Sequence, residues 1–140
     1  MDKALSLLAL ARKGGIAELG KEPVGGAARG GKAYVILVAK DASDHTWRRA
    51  KSFAAGTEQQ CVRLPWTKDQ LGAAIGRDTL AIAAVTDVQM ALALVAALPQ
   101  EESNKPALEV LTAKAAKAKQ RQQEAKAHRR NRRSGKKHMK

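Results

Sequence analysis

A single cysteine in 140 residues excludes an intramolecular disulfide framework, so nothing in this chain is stapled that way. Cys61 and the three histidines, His45, His128 and His138, form no cluster with metal-ligand spacing, and no metal or other cofactor is expected. Aromatic residues amount to only 3%, while apolar residues in total reach 44%. Leu, Ile, Val and Ala must therefore fill whatever core forms, and the length allows one domain with little beyond it. The N-terminal run MDKALSLLALARK lacks the charged n-region and long apolar h-region of a secretory signal, which makes the cytoplasm the expected location.

Negative charge is also scarce, but only in one part of the chain. Residues 1–103 carry thirteen Lys/Arg against eleven Asp/Glu, a net of +2. Residues 104–140 carry thirteen Lys/Arg against Glu109 and Glu124, a net of +11. Almost all of the +13 total thus sits in the last quarter. A near-neutral domain with a polycationic tail implies a polyanionic partner.

The patterning places helices and strands in alternation. Residues 3–13 read as a helix with Leu5, Leu8 and Ala9 on one stripe, stopped by Gly14-Gly15. Ile16–Leu19 is a short strand, and KEPVGGAARG after Gly20 a weak helix, since Gly25 and Gly26 each cost about 1 kcal/mol against Ala. The run AYVILVA, 33–39, has the continuous apolar character of a strand buried on both faces. Ser43 or Asp44 caps a helix to about Ala55, with Trp47, Ala50 and Phe53 inward and Arg48, Arg49 and Lys51 outward. Cys61–Leu64 is a strand, and Thr67 caps the helix KDQLGAAI, which ends at Gly76. Leu80–Val85 is a strand, and Val88–Leu98 a helix ended by Pro99. This order predicts a three-layer α/β/α sandwich on a mixed sheet of about four strands. It assigns residues 1–98 to the domain, 99–105 to a linker and 106–140 to a basic tail. Leu108, Val110 and Leu111 are the tail's only apolar anchor; it is expected to be helical to about 128 and disordered beyond.

Several stretches imitate other functions. Residues 79–98 have Asp87 as their only charge and could span a bilayer by length. A central Asp costs roughly 2.5–3.5 kcal/mol on insertion, and the Thr86-Asp87 break suits a strand, a cap and a helix, so no membrane partner is expected. GGAARGGK, 25–32, has a phosphate-loop look, but Gly31-Lys32 leads into a strand rather than a helix. His45 beside Asp44 has no second histidine in the domain to work with, and Cys61 reads as a small buried hydrophobe. No nucleophile, base and oxyanion site assemble, so neither catalysis nor a small-molecule substrate is expected. The basic tail carries the strongest signal, because cations that neutralise phosphates release condensed counterions and bind with little sequence preference. It lacks the bulky apolar face that an interfacial membrane helix needs.

The segments LLALARKGGIAELG (7–20), RGGKAYVILVAKDAS (29–43), TKDQLGAAIGR (67–77) and AIAAVTD (81–87) stand in an order that resembles the kink-turn-binding ribosomal protein family, specifically its bacterial YlxQ-type members. The resemblance covers residues 3–98 and not the tail. It implies binding of structured RNA by the helix start after Gly20, with Lys21 and Glu22, and by the loop Arg77, Asp78, Thr79 and Leu80, with Leu80 facing a base. The family pattern at the first position is Asn-Glu followed by Lys three residues on. This chain has Glu22-Pro23 and Gly26 there, losing one backbone donor and one cation and placing a phosphate-repelling carboxylate where the pattern has Asn. Arg29, Lys32 and Lys40 add phosphate contacts near the domain. Lys117, Lys119, Arg121, Arg129, Arg130, Arg132 and Arg133 add them along the tail. The expected function is RNA binding in association with the ribosome or RNA processing, with RNA and proteins of those assemblies as partners. Two alternatives stay open: a protein-interaction module whose tail alone binds nucleic acid, and association of the tail with DNA.

Overall fold

The computed structural model describes the backbone of residues 2–138 and the side chains of residues 2–130. Helix α1 spans Lys3–Lys13, with Asp2 accepting from the Ala4 N–H and Ala4, Leu8 and Ala11 as its buried stripe. Strand β1 is Ala17–Leu19, and helix α2 is Lys21–Arg29. Two glycines do not break α2, because Gly25 is buried with the Arg29 guanidinium and the Phe53 ring packed against it. β2 is Val35–Val38, α3 Asp44–Ala54 and β3 Gln60–Arg63. α4 is Lys68–Ile75, opened by a reciprocal capping box between Thr67 and Gln70. β4 is Ile82–Val85 and α5 Val88–Ala96, capped by Asp87 through the Met90 N–H. A short 3-10 turn, Glu102–Asn104, leads into α6, Lys105–His138.

The sheet order is β1-β4-β2-β3, with β2 and β3 parallel and the other pairs antiparallel. All four residues of β2 and of β4 are buried, as expected of central strands covered on both faces. Helices α2 and α3 pack together on one side, and α1, α4, α5 and α6 form a continuous layer on the other. The expected α/β sandwich on a mixed four-stranded sheet is the observed fold.

The start of the tail is anchored on the body. α6 packs against α5 and reaches β3. Ala107, Leu111 and Ala115 are buried at four-residue spacing, and Leu111 has no exposed surface. Gln89 Nε2 donates to the Ala115 carbonyl (3.0 Å), and Lys114 pairs with Glu58. The first three turns of α6 therefore belong to the folded body, and the charged arm starts near Lys117. The helix runs to His138, ten residues beyond the expected end near 128. Ala, Lys, Gln and Arg, all strong helix formers, dominate residues 112–133.

Candidate nucleic-acid interface

Strand directions sort the predicted site residues into two groups at opposite ends of the sheet. At one end the chain leaves β1 and β2 and enters β4. Here the Gly20 N–H donates to the Ile82 carbonyl (3.0 Å), Ala39 to Ala81 (2.9 Å) and Lys40 to Trp66 (2.9 Å). Gly20 adopts φ +97°, open only to glycine, and this turns the chain from β1 into α2. It offers no side-chain cap, so first-turn amides of α2 stay directed outward, and Pro23 removes one of them.

The loop Arg77–Leu80 comes to the same end of the sheet as this helix start, because it leads into β4 at Ile82, whose carbonyl Gly20 binds, and it packs closely on α4. A Cβ on Gly72 would stand 2.7 Å from Asp78 O, Thr79 Cα and Thr79 N, closer than backbone atoms tolerate. The Arg77 N–H donates to the Gly72 carbonyl (2.8 Å) and the Leu80 N–H to that of Lys68 (3.0 Å). Arg12 donates to the Ile75 carbonyl, and Asp41 Oδ1 accepts the Lys68 N–H (2.8 Å), tying α4, on which the loop packs, to α1 and to the end of β2. Gly20, Lys21, Glu22, Lys40, Arg77, Asp78 and Thr79 are thereby brought to one end of the sheet. Leu80 is a correction: it is only 3% exposed, its side chain closes the core, and no face remains for a base. Three exposed cations, Lys21, Lys40 and Arg77, stand with three exposed carboxylates, Glu22, Asp41 and Asp78, so this end is nearly balanced in charge.

At the other end Arg29 and Lys32 surround the entry to β2, where Tyr34 donates its N–H to Val85 (2.9 Å) and accepts from Gln60 (3.1 Å). They are not part of the first surface, and Arg29 shares a recess with Lys114 of α6. A recess of about 300 Å³ is lined by Tyr34, Glu58, Lys114, Lys117 and Arg121, among others. A second, of about 410 Å³, shares Tyr34, Glu58 and Lys114 with it and extends to Arg29 and Thr57. Lys119 is exposed but lines neither recess, and Arg129 and Arg130 lie further out along α6. The side chains of Arg132 and Arg133 lie outside the described residues.

Sequence reasoning missed Tyr34, Glu58, Gln59 and Lys114. Gln59 is buried, accepting from the Ala33 N–H (3.2 Å) and donating to the Ala28 carbonyl (3.2 Å), which clips α2 to the start of β2. Lys114 lies 5.9 Å from the Tyr34 ring centre and pairs with Glu58. That hydrogen bond and charge hold the Glu58 carboxyl below its usual range. Trp47 lies outside both recesses and carries two cations, Arg63 and Lys51, at 4.6 and 5.5 Å from its ring. Burial pushes the Cys61 thiol up to about 11 despite Lys51 and Arg63. Among the described residues no group of His, Cys, Asp and Glu is arranged to hold a metal ion, and no helix is long and apolar enough to cross a membrane.

In fold, the chain is similar to an RNA-binding protein. The Giardia lamblia 15.5kD RNA binding protein matches with a TM-score of 0.52 and 15% identity, over 80% of this chain and 84% of its own. A protein of unknown function from Bacillus halodurans matches more closely in sequence and in shape. It is 26% identical with a TM-score of 0.65, and the match takes in 69% of this chain and 97% of that one. No protein-family model and no curated protein matches. Against the Bacillus protein, nearly a third of this chain has no counterpart.

Proposed function

We propose that this protein is a non-catalytic RNA-binding protein of the kink-turn-binding type, working with the ribosome or in RNA processing. The observation that carries this reading is that two segments, the α2 start at Gly20 and the loop Arg77–Thr79 that leads into β4, lie at the same end of the sheet. The same fold serves an RNA-binding protein in Giardia lamblia. In the proposed complex the outward amides at the start of α2 and the cations Lys21, Lys40 and Arg77 meet backbone phosphates, which position the RNA. Glu22, Pro23 and Gly26 reduce base readout relative to the family pattern. The basic arm of α6 adds salt-sensitive phosphate contacts.

A second reading has one observation in its favour: the nearly balanced charge of the Gly20–Arg77 surface. In that reading the body docks on a protein and the arm alone binds nucleic acid. Measuring the full chain on a kink-turn RNA and on a plain duplex separates the two. The first reading expects a preference of tenfold or more for the kink-turn, about 1.4 kcal/mol, which the triple variant K21A/K40A/R77A removes. Equal binding of both RNAs, unchanged in that variant, overturns it. Gly26 has open space around its would-be Cβ, so E22N/P23E/G26K rebuilds the family pattern without a clash at position 26 and is expected to sharpen the preference.

A further inference from the structure

The two joined recesses at the far end of the sheet have no part in the surface just described. They lie on the other side of the body from Gly20 and Arg77, separated by the length of β2. From Tyr34 to Lys40 that is six extended steps, roughly 20 Å. Four cations line them, Arg29, Lys114, Lys117 and Arg121, against the single carboxylate of Glu58. The excess of positive charge is therefore larger here than at the first surface. A half-buried aromatic ring, Tyr34, forms part of the wall. Glu58 is 80% exposed and holds Lys114, which is 29% exposed, in an ion pair at the groove.

We propose that this groove is a second RNA site, which takes a single-stranded segment. A backbone phosphate enters between Lys114, Lys117 and Arg121 and displaces the Glu58 carboxylate from Lys114. A base then rests against the Tyr34 ring. Strand-tracking cations beside an aromatic platform are the combination that single-stranded nucleic acid requires, and a base locked in a duplex cannot enter a recess of this size. Glu58 acts as a stand-in anion: it keeps Lys114 in place when the groove is empty and costs some affinity when RNA enters. Because this site and the first face opposite ways, one protein holds a structured element and a flanking single strand at once. The inference rests on RNA being the ligand of the chain, and it names a separate place and a separate form of RNA.

Tyr34 is the sole tyrosine, so uniform 3-fluorotyrosine labelling of the full chain gives one fluorine resonance that reports this groove. Titration with a short oligouridine strand is expected to shift it, and a plain duplex of equal charge to leave it in place. E58Q is expected to tighten oligouridine binding about threefold, and K117Q to weaken it five- to tenfold. K119Q removes the same charge two positions away, off the groove, and is expected to cost about twofold. The K21A/K40A/R77A variant should retain the fluorine response even where its kink-turn preference is gone. A resonance unmoved by saturating oligouridine, or moved equally by the duplex, overturns the proposal. So do equal losses for K117Q and K119Q, which mean that the arm binds by net charge alone. Loss of the Tyr34 response while the kink-turn preference persists refutes this site and leaves the first one standing.

Discussion

Replacing Leu111 with alanine tests whether α6 is part of the body or a tail attached to it. Leu111 has no exposed surface and sits in the layer where α6 meets α5 and β3. Its neighbours one turn either way are Ala107 and Ala115, too small to fill the space that the lost isobutyl group leaves. Deleting a buried leucine costs roughly 2–5 kcal/mol, more where the site cannot collapse, so about 3 kcal/mol is expected here. Against a total of about 5–15 kcal/mol that is a large fraction. It corresponds to a drop of roughly 10 °C in melting temperature for a domain of this size. Urea unfolding of the full chain followed by circular dichroism gives the number, with L10A as control because Leu10 is 56% exposed. L10A should change stability by less than about 0.5 kcal/mol. If L111A is as mild as L10A, α6 does not pack as described and the groove beside Tyr34 does not exist. The buried stripe also fixes where the arm can be cut. A chain ended after Ala118 keeps the buried stripe and should melt like the full chain, whereas one ended after Ser103 exposes the α5 surface beneath and should be severely destabilised.

The close approach of Gly72 to the Arg77–Leu80 loop predicts that G72A costs about 1–3 kcal/mol and displaces the loop. Its kink-turn affinity should fall further than that of A73G, a change on the same helix at an exposed position; equal affinities would show that the loop is not part of the RNA surface. The rise of the Cys61 pKa from 9.0 to about 11 leaves about a hundredfold less thiolate at pH 8 than in the unfolded chain. Alkylation by iodoacetamide should be slower in the native protein by about that factor. Because the folded-state value is raised, the stability linked to this thiol is fully present below about pH 9 and is lost as the pH rises toward 11, a loss that C61A should not show. Native alkylation as fast as in urea contradicts the burial of this side chain.

Much of the fold was legible because its signals are local. The run Val35–Val38 is apolar at every position, and only a strand covered on both faces uses such a run. Thr67 and Gln70 close their capping box within one turn, and Asp2, Ser43 and Asp87 cap through nearby amides in the same way. The parts that escaped depend on distance. Leu111 marks where α6 docks, but Ala107 and Ala115 look identical to the solvent-facing alanines of α6, so the extent of the docked face has no signature in the sequence. Arg29 and Lys32 are close in the chain to Lys21 and Lys40, yet a helix and a strand carry them to the opposite end of the sheet. Leu80 reads equally well as a loop hydrophobe or a strand residue, and only packing turns it inward. Tyr34, Glu58 and Lys114 come from three distant segments and meet only in the folded chain.

The most direct test of the central claim compares the full chain with a chain ended after Ala118, each binding a kink-turn RNA and a plain duplex across a salt series. The account predicts that the shortened chain keeps a tenfold or larger preference for the kink-turn with a shallow salt slope, and that restoring the arm raises affinity for both RNAs and steepens the slope. If the shortened chain, still folded, binds neither RNA, and the full chain binds both alike, the body is not an RNA-binding domain and the central claim fails.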